Sequence, residues 1–144
     1  MGVRIPLTPL RDFMDCIFCK IVKGEIPCYK VYEDKDFLAF LDVNPLNPGH
    51  TLVIPKKHYR WVWDLSNIGE CFEFTKKIAK ALQKAMKTEW IVCDVAGMGV
   101  PHVHVHLVPR FENDGHGDFV NTANIKKISK EEMENTANKI RESF

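Results

Sequence analysis

Three histidines alternate in His102-Val103-His104-Val105-His106-Leu107-Val108. Successive side chains of a strand point to opposite faces, so the three imidazoles share one face. Val103, Val105 and Leu107 share the other and are expected to pack into a core. Two chemistries suit such a row. Alternate imidazoles about 6.5 Å apart can chelate zinc. An imidazole can also attack phosphorus while a neighbouring imidazolium neutralises phosphate oxygens. A lone histidine is most often an ordinary surface or core residue. Half of the chain's six histidines on one strand face is a stronger signal.

Cys16-Ile17-Phe18-Cys19 is a Cys-x-x-Cys. A thioredoxin-like motif follows a strand, and nothing before Cys16 reads as one. Half of a tetrahedral zinc site fits better, with histidines completing it. His58 and His102 are candidates, but spacing alone does not select them. Cys28, Cys71 and Cys93 stand apart and are expected to be buried hydrophobes. Asp42 and Asn44 flank a turn and suit ribose hydroxyls, or merely bond their own backbone. Gly49 before His50 permits a close ligand approach. Gly97-Met98-Gly99 can present N–H groups to a phosphate. Lys56 and Lys57 read as a solvated edge. Trp61 and Trp63 suit core or dimer packing better than base stacking.

The secondary structure around these groups follows from residue pattern. A short helix is expected over Cys16–Lys23, and a hairpin from strands Cys28–Glu33 and Phe37–Leu41. The stretch Asn44–Gly49, with two Pro and two Asn, is a loop. Strand His50–Ile54 follows. Phe74, Ile78, Ala81, Leu82 and Ala85 recur at helical spacing within Asn67–Lys87, with Ser66 as N-cap. Trp90–Val95 and His102–Val108 are strands. Ser129 and Glu132 form a capping box for a final helix bearing Met133, Ala137 and Ile140. The order predicts an α+β fold: an antiparallel sheet of about five strands, one long helix and a C-terminal helix.

The 144 residues suit one domain, read as residues 16–144 after an N-terminal extension of residues 1–15. Twenty basic against 19 acidic residues argue against a nucleic-acid partner. No apolar run suits a membrane span, and Met1–Asp15 makes a poor signal peptide. Five cysteines make no evident disulfide framework, which favours a cytoplasmic setting.

Four segments together resemble the histidine-triad (HIT) hydrolases and transferases: Cys16–Pro27, Phe37–Asn44, Pro48–His58 and His102–Arg110. The resemblance implies a nucleotide hydrolase or transferase acting at the α-phosphate of nucleoside phosphoramidates or dinucleoside polyphosphates. It implies His104 as nucleophile, forming a covalent nucleotidyl-histidine. His106 would hold phosphate oxygens, and His50 would line the site. Asp42 and Asn44 would fix the ribose and nucleotide. Ile17, Phe18, Phe40 and Val43 would form the slot for a base, with a purine expected. Gly99 would lie at the phosphate. The resemblance further implies a structural zinc on Cys16, Cys19, His58 and His102, and a homodimer whose sheets join. The chain departs from the family at Gly97-Met98-Gly99, where many members carry a Gly-Gln-Ser/Thr whose hydroxyl assists the leaving group. It also has Cys93-Asp94-Val95-Ala96 in place of an asparagine-rich loop. His106 argues against the uridylyltransferase branch, which has glutamine there. Two other readings stand beside the enzyme: a nucleotide-binding or interaction module with weak or no catalysis, and a metalloenzyme using all three triad histidines.

Overall fold

A computed structural model describes residues 15–144. Residues 1–14, nearly all of the expected N-terminal extension, lie outside the described residues. The chain runs α1 (Ile17–Val22), β1 (Lys30–Glu33), β2 (Phe37–Leu41), β3 (Thr51–Pro55), a 3-10 turn (Val62–Asp64), α2 (Ile68–Met86), β4 (Ile91–Asp94), β5 (Val105–Pro109) and α3 (Lys130–Arg141). The strands form one antiparallel sheet in the order β1-β2-β3-β5-β4. This is the expected α+β architecture.

The sheet is covered on both faces, and strand alternation decides what goes where. Phe37, Ala39, Leu41, Val53, Val105 and Leu107 face Phe74, Ile78, Ala81 and Leu82 of α2 and Met133, Ala137 and Ile140 of α3. Val103 joins them, as its position predicts. On the opposite face Leu38, Phe40, Leu52 and Ile54 pack with Cys16, Phe18 and Cys19. β2 and β3 are therefore buried at every position. The central strands show no polar-out alternation because α1 covers part of the second face.

Local signals explain the joins. The Asp34 carboxylate accepts from the N–H groups of Asp36 and Phe37, both at 2.8 Å, and closes the β1–β2 hairpin. Ser129 Oγ accepts from Glu132 N–H at 3.1 Å and starts α3. Ser66 does not cap α2. The N-cap is Asn67, without a side-chain bond, and Ser66 Oγ lies 3.3 Å from the Tyr59 hydroxyl. Gly49 has φ +85°, but what approaches it is Met86 and Pro109, about 3 Å from where a Cβ would stand, rather than a ligand.

β5 is shorter than the alternation suggests, beginning at Val105 rather than His102. Its partner β3 ends at Pro55, which has no N–H to offer. The Pro55 carbonyl meets the His102 ring, and Val103 N–H donates to the Tyr59 carbonyl at 2.8 Å. The triad thus straddles a strand end.

Ile78 is fully buried between sheet and helices. Ile78→Ala is expected to lower stability by about 3 kcal/mol, while exposed Lys80→Ala stays within about 0.5. Urea midpoints check this; equal midpoints for the two variants would contradict the assigned core face.

Candidate active site

A cavity of about 430 Å³ opens on the sheet face away from α2. Such a volume holds a small molecule. Ile17, Phe18, Phe40, Asp42, Val43, Asn44, Gly99, His104 and His106 all line it, each singled out from sequence. Its base is strongly apolar: Ile21, Ile26, Pro27, Leu52 and Val100 join in, and Cys28 completes that end. Cys28 is half-buried, packed against the Phe18–Phe40 cluster and also lining the cavity, while Cys71 is buried as expected and Cys93, at the sheet edge on β4, is exposed.

Asp42 ends up serving both readings of its position. One oxygen accepts from Asn44 N–H at 2.8 Å, as in an ordinary turn. The carboxylate nevertheless lines the cavity, and its other oxygen lies 3.6 Å from His50 Nε2. Burial pushes its pKa up, partly offset by the Asn44 N–H.

The three triad rings take three different partners. His104 Nδ1 donates to the His102 carbonyl at 2.8 Å. That bond places the proton on Nδ1 and leaves Nε2 as a lone pair on a ring lining the cavity. Phe18 packs edge-on against the same ring, 5.2 Å between centroids. His106 Nδ1 lies 2.9 Å from His50 Nε2. His50 Nδ1 accepts from Leu46 N–H at 3.0 Å, so His50 carries its proton on Nε2 and gives it to His106. His106 must then carry its own proton on Nε2. A backbone amide thereby sets a donor two rings away. His50 stands behind His106 and is not part of the cavity wall.

Burial keeps this pair neutral. It drives His50 down to about 3, assisted by His106. His106 falls to about 4 through burial and then the His104 charge, against a raising effect of Asp94. Asp42, His50 and His106 place ligand atoms within 4.8 Å of one another, a geometry that also suits a cation. A cation on His50 Nε2 would need that nitrogen deprotonated, which the Leu46 N–H on Nδ1 opposes. We read Leu46 N–H, His50 and His106 as a hydrogen-bond relay, with the Asp42 carboxylate 3.6 Å from its middle ring.

His102 belongs to a different group. Its Nε2 donates to the Pro55 carbonyl at 2.8 Å, which turns Nδ1 toward the cysteine pair. Nδ1 lies 3.3 Å from Cys16 Sγ and 3.5 Å from Cys19 Sγ, and His58 Nδ1 lies 3.2 Å from Cys19 Sγ. Nitrogen and sulfur ligands on one tetrahedral zinc stand about 3.5 Å apart. The four residues, none fully exposed, therefore fit zinc in donor type and spacing. The carbonyl behind His102 is the usual orienting partner of a metal-bound imidazole. Burial and neighbouring Cys16 push the Cys19 thiol up to about 12. A divalent cation would reverse that effect by favouring thiolate. The three triad histidines do not converge on one point, which removes the geometric basis for a metal held by all three.

Several supporting residues escaped sequence reasoning. Trp61 packs over Gly97 so closely that a Cβ there would come within 2.7 Å of its ring. Gly97 also has φ +76°, so only glycine suits the position. Arg60 stacks on Trp61 at 3.9 Å and donates to the Gly97 carbonyl at 2.8 Å. Trp61 thus braces the connection before the triad, and Trp63 is 82% exposed, outside the core of the chain. On the other side, Asn47 donates to Asp114 at 2.9 Å, and Arg110 grips Asp114 through two nitrogens. His116 Nε2 meets the Leu46 carbonyl at 2.9 Å, and Lys126 N–H donates to the Pro45 carbonyl at 2.7 Å. Residues 110–126 therefore strap down the loop that supplies Leu46 N–H. Their partners lie about 60 to 80 residues away in sequence, which no local pattern signals.

The HIT domain family model matches residues 23–113. An uncharacterised HIT-like protein of Methanocaldococcus jannaschii is 44% identical over 125 residues, covering 82% of this chain and 95% of that protein. An adenosine 5′-monophosphoramidase of Schizosaccharomyces pombe is 42% identical over 103 residues, 67% of this chain and 75% of that one. Among solved structures, a zinc-bound histidine triad family protein of Mycobacterium smegmatis superposes with a TM-score of 0.75 at 30% identity, covering 90% of this chain and 93% of that one. With sheet order, triad placement and these matches in agreement, the chain belongs to the HIT family.

Proposed function

We propose that this protein is a nucleotide hydrolase or transferase that attacks the α-phosphate through His104. The observation that carries the reading is the bond from His104 Nδ1 to the His102 carbonyl, which leaves Nε2 as the attacking nitrogen. The base lies in the apolar end among Ile17, Phe18, Phe40 and Val43. Asp42 and Asn44 take the ribose hydroxyls. The Nε2–H of His106, and N–H groups near Gly99, hold phosphate oxygens. Naming as an adenosine 5′-monophosphoramidase applies to the S. pombe relative and supports adenosine phosphoramidates as substrates here.

In the first step His104 Nε2 bonds to phosphorus and the bond to the leaving group breaks. A leaving amine takes a proton from water. In the second step water attacks phosphorus, the Nε2–P bond breaks, and the nucleoside monophosphate departs. Splitting one displacement into two lets a neutral imidazole serve as the nucleophile. Cys16, Cys19, His58 and His102 hold a zinc with four protein ligands, whose contribution is to tie α1 to the start of the triad. A homodimer is part of the proposal, since β1 and β4 leave open edges on the sheet. A cytoplasmic location is proposed on the five free cysteines. Among the described residues no helix is long and apolar enough to cross a membrane.

Three outcomes are expected. His104→Ala lowers turnover of adenosine 5′-phosphoramidate by roughly a thousandfold or more with an unchanged melting temperature. Wild-type turnover in that variant would remove His104 as nucleophile. Tight nucleoside monophosphate binding by a wild type that turns over neither phosphoramidate nor diadenosine polyphosphates would favour the binding module. Metal analysis should give about one zinc per chain, lost in the Cys16→Ser, Cys19→Ser double variant and kept in His50→Asn. Retention of zinc by the double variant would misplace the site.

Acid stability tests the neutral relay. His50 and His106 have folded values of about 3 and 4, below the ordinary 6.5. The unfolded chain therefore takes up their protons first on acidification. Their stabilising effect is complete above about pH 6.5 and declines as pH falls toward 4, by up to about 1.4 kcal/mol per pH unit per histidine. The urea midpoint should drop between pH 7 and pH 5, and His50→Asn should reduce that drop. Equal slopes in both proteins would count against a buried neutral His50.

A further inference from the structure

The sheet carries a row of paired residues that runs straight through the cavity. Phe40 on β2 pairs with Leu52 on β3, Leu52 pairs with His106 on β5, and His106 pairs with Asp94 on β4. Directly paired residues on neighbouring strands project from the same face. Phe40, Leu52 and His106 all line the cavity, so Asp94 continues their row one strand further, about 4.8 Å on. Asp94 is exposed, at the last position of β4. Its charge acts on His106, raising that ring's pKa against burial.

The proposed nucleotide lies along this row. Its base sits at the Phe40 end and its α-phosphate at His106. The group leaving phosphorus then extends away from the base, beyond β5, toward the end of β4. That side is open, with Met98 78% exposed at the rim. The charge it meets is negative. No lysine or arginine is among the described residues that line the cavity, whereas Asp42 is. Arg60, which reaches the Gly97–Gly99 connection, is engaged by the Gly97 carbonyl and the Trp61 face. A polyphosphate leaving group would bring several negative charges to Asp94 with no lysine or arginine among the described cavity-lining residues to neutralise them. A cationic amine would be attracted to the same carboxylate.

We propose that Asp94 is a specificity-determining residue of this site, favouring substrates whose leaving group is a cationic amine over those that release a polyphosphate. The proposal rests on His104 as the nucleophile at the α-phosphate. It adds no step to the chemistry: the Nε2–P bond forms, the P–N bond breaks, and the departing nitrogen is protonated by water while its second, charged amine lies by Asp94.

The test compares kcat/KM for three substrates: N-(2-aminoethyl) adenosine 5′-phosphoramidate, its uncharged isostere N-propyl adenosine 5′-phosphoramidate, and diadenosine triphosphate. The wild type should prefer the aminoethyl over the propyl compound by about three- to tenfold at low ionic strength, and the preference should shrink in 0.5 M salt. Asp94→Asn, a surface change of nearly equal shape, should bring that ratio near one and raise diadenosine triphosphate relative to the propyl compound. Using ratios cancels any common effect of the substitution on folding or on His104. A wild-type ratio near one, or an undiminished ratio in Asp94→Asn, overturns the role of Asp94 while leaving the hydrolase reading intact. No turnover of any of the three by the wild type overturns both.

Discussion

The site depends on β5 and the turn before it being held from behind. Val103, Val105 and Leu107 are almost completely excluded from solvent against α2 and α3. Each full burial of such a side chain contributes roughly 1.5–3 kcal/mol. A shift of one residue would turn all three apolar groups outward and all three imidazoles into the core. Register is therefore enforced by the core-facing side chains. The histidine face inherits its geometry from that packing, and so do the Cys16–Cys19–His58–His102 cluster, the relay and the cavity floor.

Backbone groups then divide three similar rings into three roles. The Pro55 carbonyl turns Nδ1 of His102 toward the cysteines. The His102 carbonyl takes the Nδ1 proton of His104. Leu46 N–H, acting through His50, sets the proton of His106. Main-chain groups in a folded sheet and loop have fixed positions, so they assign tautomers without needing a further side chain. Burial completes the arrangement by keeping His50 and His106 neutral, which preserves the proton positions that the backbone assigns. The loop bearing Leu46 is held in turn by Asn47, Asp114, His116 and Lys126. Asp114 is able to anchor this strap because the Arg110 guanidinium holds its carboxyl well below the usual range.

Much of this was legible in the chain. The 3.6 period across Phe74–Leu82 and the Ser129 cap are local signals that local geometry obeyed, whereas the period-two pattern at 102–108 forms a strand only from Val105. Ser66 failed as a cap because Asn67 took the N-cap position of α2 while Ser66 Oγ came to lie beside the Tyr59 hydroxyl. Trp61 and Cys28 were undecidable from sequence, since an apolar side chain is equally at home in a core, a brace or a cavity wall. The strap residues gave no signal, because their partners are remote and their types are common in loops.

Periodicity along the chain fixes which side chains share a face, because φ/ψ repeats are set within a few residues. The sequence thereby determined the histidine row, the division into strands and helices, and the presence of a cysteine pair with histidines to complete it. Long-range packing decided that His58 and His102 lie beside the cysteines, which nitrogen of each ring carries its proton, and which carboxylate lies beyond His106. Those outcomes depend on distances of about 3–5 Å between segments far apart in the chain. Strand order and packing set such distances; sequence spacing does not.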